Sequence, residues 1–110
     1  MTLADQNTEQ ITDETKPLSI EEAKKMSEDL PDWKLDEDGD ELKRKFRFEN
    51  FKQAMAFVNK IADLAEENDH HPDFEISYNV VELEFTTHKI DGLSQNDFIM
   101  AAKVSKLVGQ

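Results

Sequence analysis

The three histidines of the chain lie close together in the sequence. His70, His71 and His88 fall within 19 positions of a 110-residue chain. An imidazole has an unperturbed pKa of about 6.5, so it can both donate and accept a proton near neutral pH. Several imidazoles around one ligand would therefore suit general acid–base catalysis, in which one group protonates a leaving atom and another removes a proton.

Two carboxylates lie where they could support these histidines. Glu66 precedes His70 by four residues and could orient it, although a solvated surface carboxylate is an equal alternative. Asp97 is the third residue after Ser94, where a capping box places an acidic side chain at a helix N-terminus. Helix capping alone would explain Asp97, and a contact with a histidine would be an additional role.

A metal site is the competing interpretation of the same region. Imidazoles and carboxylates are common ligands of zinc and other divalent ions. The candidate ligands are His70, His71, His88, Glu66, Asp69 and Asp73. Their spacing matches no common zinc signature, and adjacent residues on an extended segment point in opposite directions. The spacing therefore disfavours a metal site but leaves it as an alternative.

The spacing of apolar side chains predicts the elements that would position these residues. Ser19 and Glu22 have the spacing of a capping box, which indicates a short first helix that ends before Pro31. Two strands follow, because apolar and polar residues alternate on both sides of a turn at Asp38 and Gly39. The apolar positions of this hairpin are Trp33, Leu35, Leu42, Phe46 and Phe48.

A long amphipathic helix leads into the pair of histidines. Asn50 is its predicted N-cap, its apolar residues recur at helical spacing, and Asn68 is the predicted left-handed residue that ends it. His70 and His71 then lie on a loop, because Pro72 favours an extended conformation for the residue before it.

A second pair of strands and a last helix complete the chain. The strands have opposite parity on either side of Asn79, and Tyr78 belongs to the apolar set of the first. His88 stands at the end of the second strand, off its apolar face, and Ser94 begins the last helix. The order α-β-β-α-β-β-α predicts an α+β fold, with a four-stranded antiparallel sheet and three helices packed on one face.

Composition limits the classes of function. The net charge of −12 disfavours a nucleic-acid binder and an anionic membrane surface, since both need Lys and Arg. No segment has the length or apolar character of a signal peptide or membrane span, and the absence of cysteine is compatible with the cytoplasm. Residues 1–17 are acidic and without periodicity, so they are predicted to form a disordered or loosely attached tail. Residues 18–110 form the predicted domain.

The histidines and their flanks together resemble the pterin-4a-carbinolamine dehydratase family. The resemblance extends from about residue 18 to residue 108, and it includes the flanking blocks around Trp33, Phe46 and Phe98. Its central signature is Glu66-Glu-Asn-Asp-His70-His71-Pro72, followed by Tyr78, His88 and Asp97.

The resemblance implies an activity and roles for the site residues. Family members dehydrate 4a-hydroxytetrahydrobiopterin to the quinonoid dihydropterin, in the recycling of tetrahydrobiopterin, and they use no cofactor. The resemblance implies that His70 and His88 are the acid–base pair, without indicating which of them is the acid. It also implies that His71 contacts the substrate. Asp97 and Glu66 would support the histidines. Trp33 would flank the pterin ring.

The resemblance also implies the assembly and an alternative function. Family members are homodimers or homotetramers built by joining sheets, so a homo-oligomer is expected. Some members also serve as coactivators of transcription. A protein-interaction module on the same fold is therefore the alternative function, although such a module has no need for three histidines in one place.

Overall fold

The computed structural model describes residues 2–109 and confirms the predicted α+β fold and the order of its elements. The helices are α1 (Ile20–Ser27), α2 (Phe51–Asn68) and α3 (Gln95–Leu107), and the strands are β1 (Lys34–Leu35), β2 (Leu42–Arg47), β3 (Asp73–Ser77) and β4 (Val80–Phe85). Single 3-10 turns lie at Leu3–Asp5 and His88–Ile90. The antiparallel sheet has the strand order β1-β2-β4-β3, so β3 is an edge strand. Within residues 2–109, no helix is long and apolar enough to cross a membrane.

The ends of α1 and α2 follow local capping chemistry. Ser19 and Glu22 form the predicted capping box of α1, with each backbone N–H donating to the other residue's side chain. The Asn50 side chain caps α2 as predicted. The left-handed residue after α2 is Asp69, at φ 51°, and the prediction of Asn68 was wrong. Asn68 is the last helical residue, and its side-chain amide donates to the Leu64 carbonyl one turn earlier.

The core lies between the sheet and the helices. On β4, Val81, Leu83 and Phe85 are fully buried, and they face the helices together with residues of β2. Helix α2 buries Ala54, Phe57 and Ile61 against this face, and α3 is buried along most of its length. A sheet that is covered on one side by helices explains the strict alternation of apolar and polar residues on β4.

The edge strand β3 is not covered in the same way. All five of its residues are exposed, including Phe74 and Ile76, which lie on the helix-facing side. Tyr78 was expected to pack with this apolar set but is 65% exposed, because it takes a left-handed turn conformation. Its ring lies parallel to that of Phe51, with centroids 6.5 Å apart. The result is an exposed aromatic and aliphatic patch at the sheet edge.

The N-terminal residues lie against α3 and the end of α2. Leu3 and Ala4 pack against the core, and Lys103 donates to the Ala4 carbonyl at 2.8 Å. Further along, Thr8 donates to the carbonyl of Asn68 at 2.6 Å. The structure thus gives specific contacts to a segment that composition alone describes as a loose tail, and its disorder in solution stays a prediction.

Candidate active site

The register of the last hairpin brings two distant parts of the sequence together. Strands β3 and β4 are joined by the two-residue turn Tyr78-Asn79, and Asp73 pairs with Glu84 at the far end. The residues just before β3 therefore lie beside those just after β4. This arrangement places the loop that carries His70 and His71 next to the segment that leads into His88.

His70 is held by a buried carboxylate. Its Nε2 lies 2.6 Å from Oδ1 of Asp97, whose side chain is fully buried, while the His70 side chain is 10% exposed. The imidazole also lies nearly parallel to the ring of Phe85, at a centroid distance of 6.4 Å. His70 is therefore fixed both by a charged hydrogen bond and by the core.

Asp97 has two functions in the fold. Its Oδ2 accepts hydrogen bonds from the Ser94 backbone N–H at 2.9 Å and from the Thr87 hydroxyl at 2.7 Å. The first is the predicted helix cap, and Oδ1 remains for His70. A buried carboxylate needs such donors to offset its desolvation. Thr87 was not predicted as a partner of Asp97, although it lies in the Thr86-Thr-His88 block of the family resemblance.

His71 is paired with Glu66, which corrects the prediction that Glu66 orients His70. Nε2 of His71 lies 2.5 Å from Oε2 of Glu66. The correction has a simple geometric cause, because His70 turns inward to Asp97 and leaves the outward-facing His71 beside the last turn of α2. Both members of this pair are more than half exposed, so solvent screens their attraction.

His88 begins the 3-10 turn after β4 and pairs with Asp73. The distance from Nε2 of His88 to Oδ2 of Asp73 is 3.2 Å, and both side chains are more than half exposed. From the sequence, Asp73 was a candidate only as a metal ligand. The contact between Asp73 and His88 could have been predicted from the β3–β4 register, which places the first residue of β3 near the end of β4.

All three histidines line one pocket of about 650 Å³. Small-molecule sites usually have volumes of roughly 300–1,000 Å³, so the pocket could hold a bicyclic ring. Thr86, Thr87 and Lys89 contribute one side of the wall, and residues 8–11 and Asn96 contribute another. The sequence analysis did not predict any of these wall residues as part of a site.

Trp33 does not line this pocket, and its position corrects the expectation that it flanks the ligand. Its side chain is buried in the core, where it packs against Phe46 and Phe85 at centroid distances of 6.3 and 5.7 Å. The indole N–H donates to Ser105 at 2.9 Å. A tryptophan between the sheet and α3 supports Phe85, and through Phe85 it supports His70.

The histidines do not form a compact set of metal ligands. Across residues 2–109, three ligand atoms lie within 4.8 Å of one another in one group, which is formed by Asp36, Asp38 and Asp40. This group lies in the turn between β1 and β2 and contains no histidine. Each imidazole instead directs Nε2 to a different carboxylate. The geometry therefore favours three separate histidine–carboxylate pairs.

This arrangement leaves one ring nitrogen of each histidine available. A carboxylate that accepts from Nε2–H favours the tautomer in which Nδ1 carries the lone pair. In the described part of the chain, Nδ1 of His70 has no hydrogen-bond partner, and no buried side-chain nitrogen or oxygen is left unsatisfied. Nδ1 of His70 is therefore not fully buried, and it is free to meet a ligand in the pocket.

The fold and the pocket define an α+β protein with a histidine-lined pocket. Residues 16–107 match the family model described as pterin 4 alpha carbinolamine dehydratase. The chain belongs to this family. A protein of Methylococcus capsulatus is 49% identical over 94 residues, which cover 86% of this chain and 82% of the relative. A protein of Halorhodospira halophila is 45% identical over 91 residues, which cover 83% and 84%. Both relatives are provisionally named pterin-4-alpha-carbinolamine dehydratase.

Solved structures share the fold. A Brucella melitensis protein described as a transcriptional coactivator/pterin dehydratase superposes with a TM-score of 0.78 at 30% identity, covering 86% of this chain and all of that one. A pterin dehydratase-like protein described as a RuBisCO assembly factor of the alpha-carboxysome gives a TM-score of 0.60 at 24% identity, covering 71% and 90%. The second likeness concerns the fold alone.

Proposed function

We propose that this chain dehydrates 4a-hydroxytetrahydrobiopterin to quinonoid dihydrobiopterin and water, by general acid–base catalysis with histidines. The observation that carries the proposal is the shared pocket of His70, His71 and His88, each bonded through Nε2 to its own carboxylate. Membership of the dehydratase family supplies the substrate class.

The reaction needs one proton added and one removed. Protonation of the hydroxyl at C4a lets that oxygen leave as water, and loss of the proton on N5 allows the C4a=N5 double bond to form. Each such transfer by a positioned side chain typically contributes about 10²–10⁴ in rate. No net proton is consumed, so two imidazoles that begin in opposite protonation states can return to them after product release.

The environments of the histidines suggest how the work is divided. His70 is rigid, nearly buried and bonded to a carboxylate that is held by two further donors, so it suits the transfer that needs the more exact geometry. His88 is exposed and held by a longer hydrogen bond, so it can exchange protons with solvent between turnovers. His71 lies between them in exposure and suits substrate contact.

The proposal extends to the setting of the enzyme. We propose that it recycles tetrahydrobiopterin in the cytoplasm, without a cofactor. We also propose a homodimer or homotetramer, because the exposed edge strand β3 and its apolar patch would be protected by pairing with another copy.

A kinetic assay of carbinolamine dehydration tests the activity. Wild-type protein should accelerate the reaction well above buffer, and His70→Ala and His88→Ala should each lower kcat about 100-fold or more. Every histidine of the chain lines the pocket, so a histidine control does not exist. Lys24→Ala on the exposed face of α1 is the matched surface control and should behave as wild type. A wild-type rate equal to buffer would refute the proposal.

A protein-interaction module is the second candidate. It is favoured by the coactivator named for the Brucella structure and by the exposed patch of Phe51, Phe74, Ile76 and Tyr78. Under this alternative, a Tyr78→Ser change would abolish binding of the partner protein, while histidine substitutions would leave that binding intact. Dehydratase activity in the purified protein, lost on substitution of His70, would favour the enzyme.

A further inference from the structure

Residues 8–11, which we call the N-terminal strap, form one wall of the histidine pocket. They precede the segment that matches the family model, which begins at residue 16. The strap therefore contributes to the pocket from outside the part of the chain that carries the family signature. Hydrogen bonds attach it to both helices beside the pocket.

Asn96 clamps the backbone of the strap. Its Oδ1 accepts from the Glu9 backbone N–H at 2.9 Å, and its Nδ2 donates to the Glu9 carbonyl at 2.7 Å. These two bonds satisfy both polar backbone groups of one residue, as a neighbouring β-strand would. Asn96 is only 3% exposed with the strap in place, and both polar atoms of its side-chain amide are used by Glu9. The clamp consequently opposes release of the strap.

A second anchor lies at the other side of the pocket. The Thr8 hydroxyl donates to the Asn68 carbonyl, in the last turn of α2. Asn68 is two residues before His70, and Asn96 is next to Asp97, which holds His70. The strap is thus attached to the same two helix ends that fix the position of His70.

The strap also brings an acidic residue to the pocket wall. Glu9 lines the pocket, and within residues 2–109 its side chain makes no hydrogen bond or ion pair. A pterin presents the ring N3–H and the 2-amino group as adjacent donors on one edge. A carboxylate can accept both in the bidentate manner it uses with a guanidinium. Glu9 is the group of the strap with the chemistry to recognise that edge.

We propose that the strap is a substrate-binding wall, in which Glu9 recognises the aminopyrimidine edge of the pterin and Asn96 is the positioning residue that holds Glu9 in place. The proposal rests on the proposed dehydratase function and adds the determinant of substrate recognition. It predicts that changes in the strap act on KM, whereas changes in His70 and His88 act on kcat.

The first test substitutes the carboxylate. Glu9→Gln should raise KM for the carbinolamine roughly tenfold, with kcat within about twofold of wild type, because a charged hydrogen-bonded pair is lost outside the reacting centre. Glu14→Gln is the matched control: it removes an exposed carboxylate from the same segment but outside the pocket, and its KM should equal that of wild type. Equal KM for Glu9→Gln and wild type would overturn the role of Glu9.

The second test releases the clamp. Asn96→Ala should speed hydrogen exchange at the Glu9 amide and raise KM about as much as deletion of residues 2–11. Combining Asn96→Ala with the deletion should raise KM no further, since both remove the same wall. A further rise would indicate that Asn96 acts on the helix rather than the strap, which would overturn its role. Glu9→Gln keeps the clamp and tests recognition even if the deleted chain does not fold.

The two proposals fail in different ways. If wild-type protein neither dehydrates the carbinolamine nor binds 7,8-dihydrobiopterin in a fluorescence titration, the proposed function is wrong and this inference falls with it. If wild-type protein is active and every strap variant has the wild-type KM, only the inference is wrong.

Discussion

Oδ1 of Asp97 lies 2.6 Å from Nε2 of His70, and the carboxylate is fully buried while the imidazole reaches the pocket. The other oxygen of Asp97 is occupied by the Ser94 N–H and the Thr87 hydroxyl. The start of α3 therefore fixes the orientation of His70. Helix capping and orientation of the histidine are two consequences of one buried side chain.

Asp97→Asn should lower kcat about 100-fold or more while the protein remains folded. An amide could keep its carbonyl toward Ser94 and Thr87, but its NH₂ would then face Nε2 of His70 and would move the imidazole proton to Nδ1. Loss of the correct tautomer is costly in comparable carboxylate–histidine pairs. Steady-state kinetics and circular dichroism are the measurements.

Thr87→Val provides the matched control for this change, because it removes one donor to Asp97 and keeps the charge. It should lower kcat by less than Asp97→Asn does. An Asp97→Asn variant with near wild-type kcat would show that His70 does not depend on this carboxylate.

The pair of His71 and Glu66 should be only weakly coupled. Both side chains are more than half exposed, and exposed ion pairs typically contribute about 0.2–1 kcal/mol. Glu66→Gln should therefore change kcat/KM by less than about fivefold, and a double-mutant cycle with His71→Ala should give a coupling free energy below about 1 kcal/mol. A coupling several times larger would mean that bound substrate excludes solvent from this pair.

Trp33 should matter for stability rather than for substrate binding. It is buried against Phe46 and Phe85 and hydrogen-bonded to Ser105. Trp33→Ala should lower the free energy of unfolding by about 3–5 kcal/mol, the usual cost of truncating a large core aromatic. Trp33→Phe should cost less, since it keeps most of the packing and loses the N–H bond.

Urea unfolding and substrate kinetics together check this prediction. The KM of the folded Trp33→Phe protein should equal that of wild type. A raised KM for Trp33→Phe without loss of stability would instead show that Trp33 contributes to substrate binding.

The residues that were placed correctly from the sequence are those governed by local rules. The capping boxes at Ser19 and Ser94 depend on short spacings, so they could be predicted together with the helices that they begin. The fold class followed from hydrophobic periodicity, which is also local. The pairings of the histidines could not be predicted in the same way, because they depend on tertiary geometry.

Glu66 and Asp73 illustrate the difference. Glu66 precedes His70 by four residues, but the helix ends at Asn68, and after the left-handed Asp69 it is His71 that meets Glu66. Asp73 could have been found from the turn at Asn79, had the register been extended to the end of the hairpin. No sequence pattern predicted that the strap would reach the pocket, because its contact with Asn96 joins residues 87 positions apart.

Glu22 should make folding stability depend on pH in the acidic range. The hydrogen bond from the Ser19 backbone holds the pKa of the Glu22 carboxyl below its usual value of 4.5. A pKa that is depressed in the folded state means that the stabilisation is fully present above the unfolded pKa, and that it is lost as the pH falls through the folded pKa. Glu22→Gln should therefore be less stable than wild type at pH 7, and this difference should shrink below pH of about 4.

Urea unfolding at several pH values measures this effect, with Glu21→Gln as the control. Glu21 is also in the first turn of α1 but takes no part in the capping box. If Glu21→Gln and Glu22→Gln showed the same pH profile, the effect would belong to the helix dipole rather than to the capping box.

Association of copies should depend on the edge strand. Ile76 is 38% exposed at the centre of β3, where a second copy would extend the sheet and cover the patch around Phe74 and Tyr78. Ile76→Glu would place a carboxylate in that interface, and burial of an unpaired charge is costly. The variant should sediment as a monomer at concentrations where wild-type protein is oligomeric. Leu107→Glu, at a similarly exposed position on α3, is the control and should leave the β3 contact intact. Dissociation by Leu107→Glu alone would instead place the interface on the helical face.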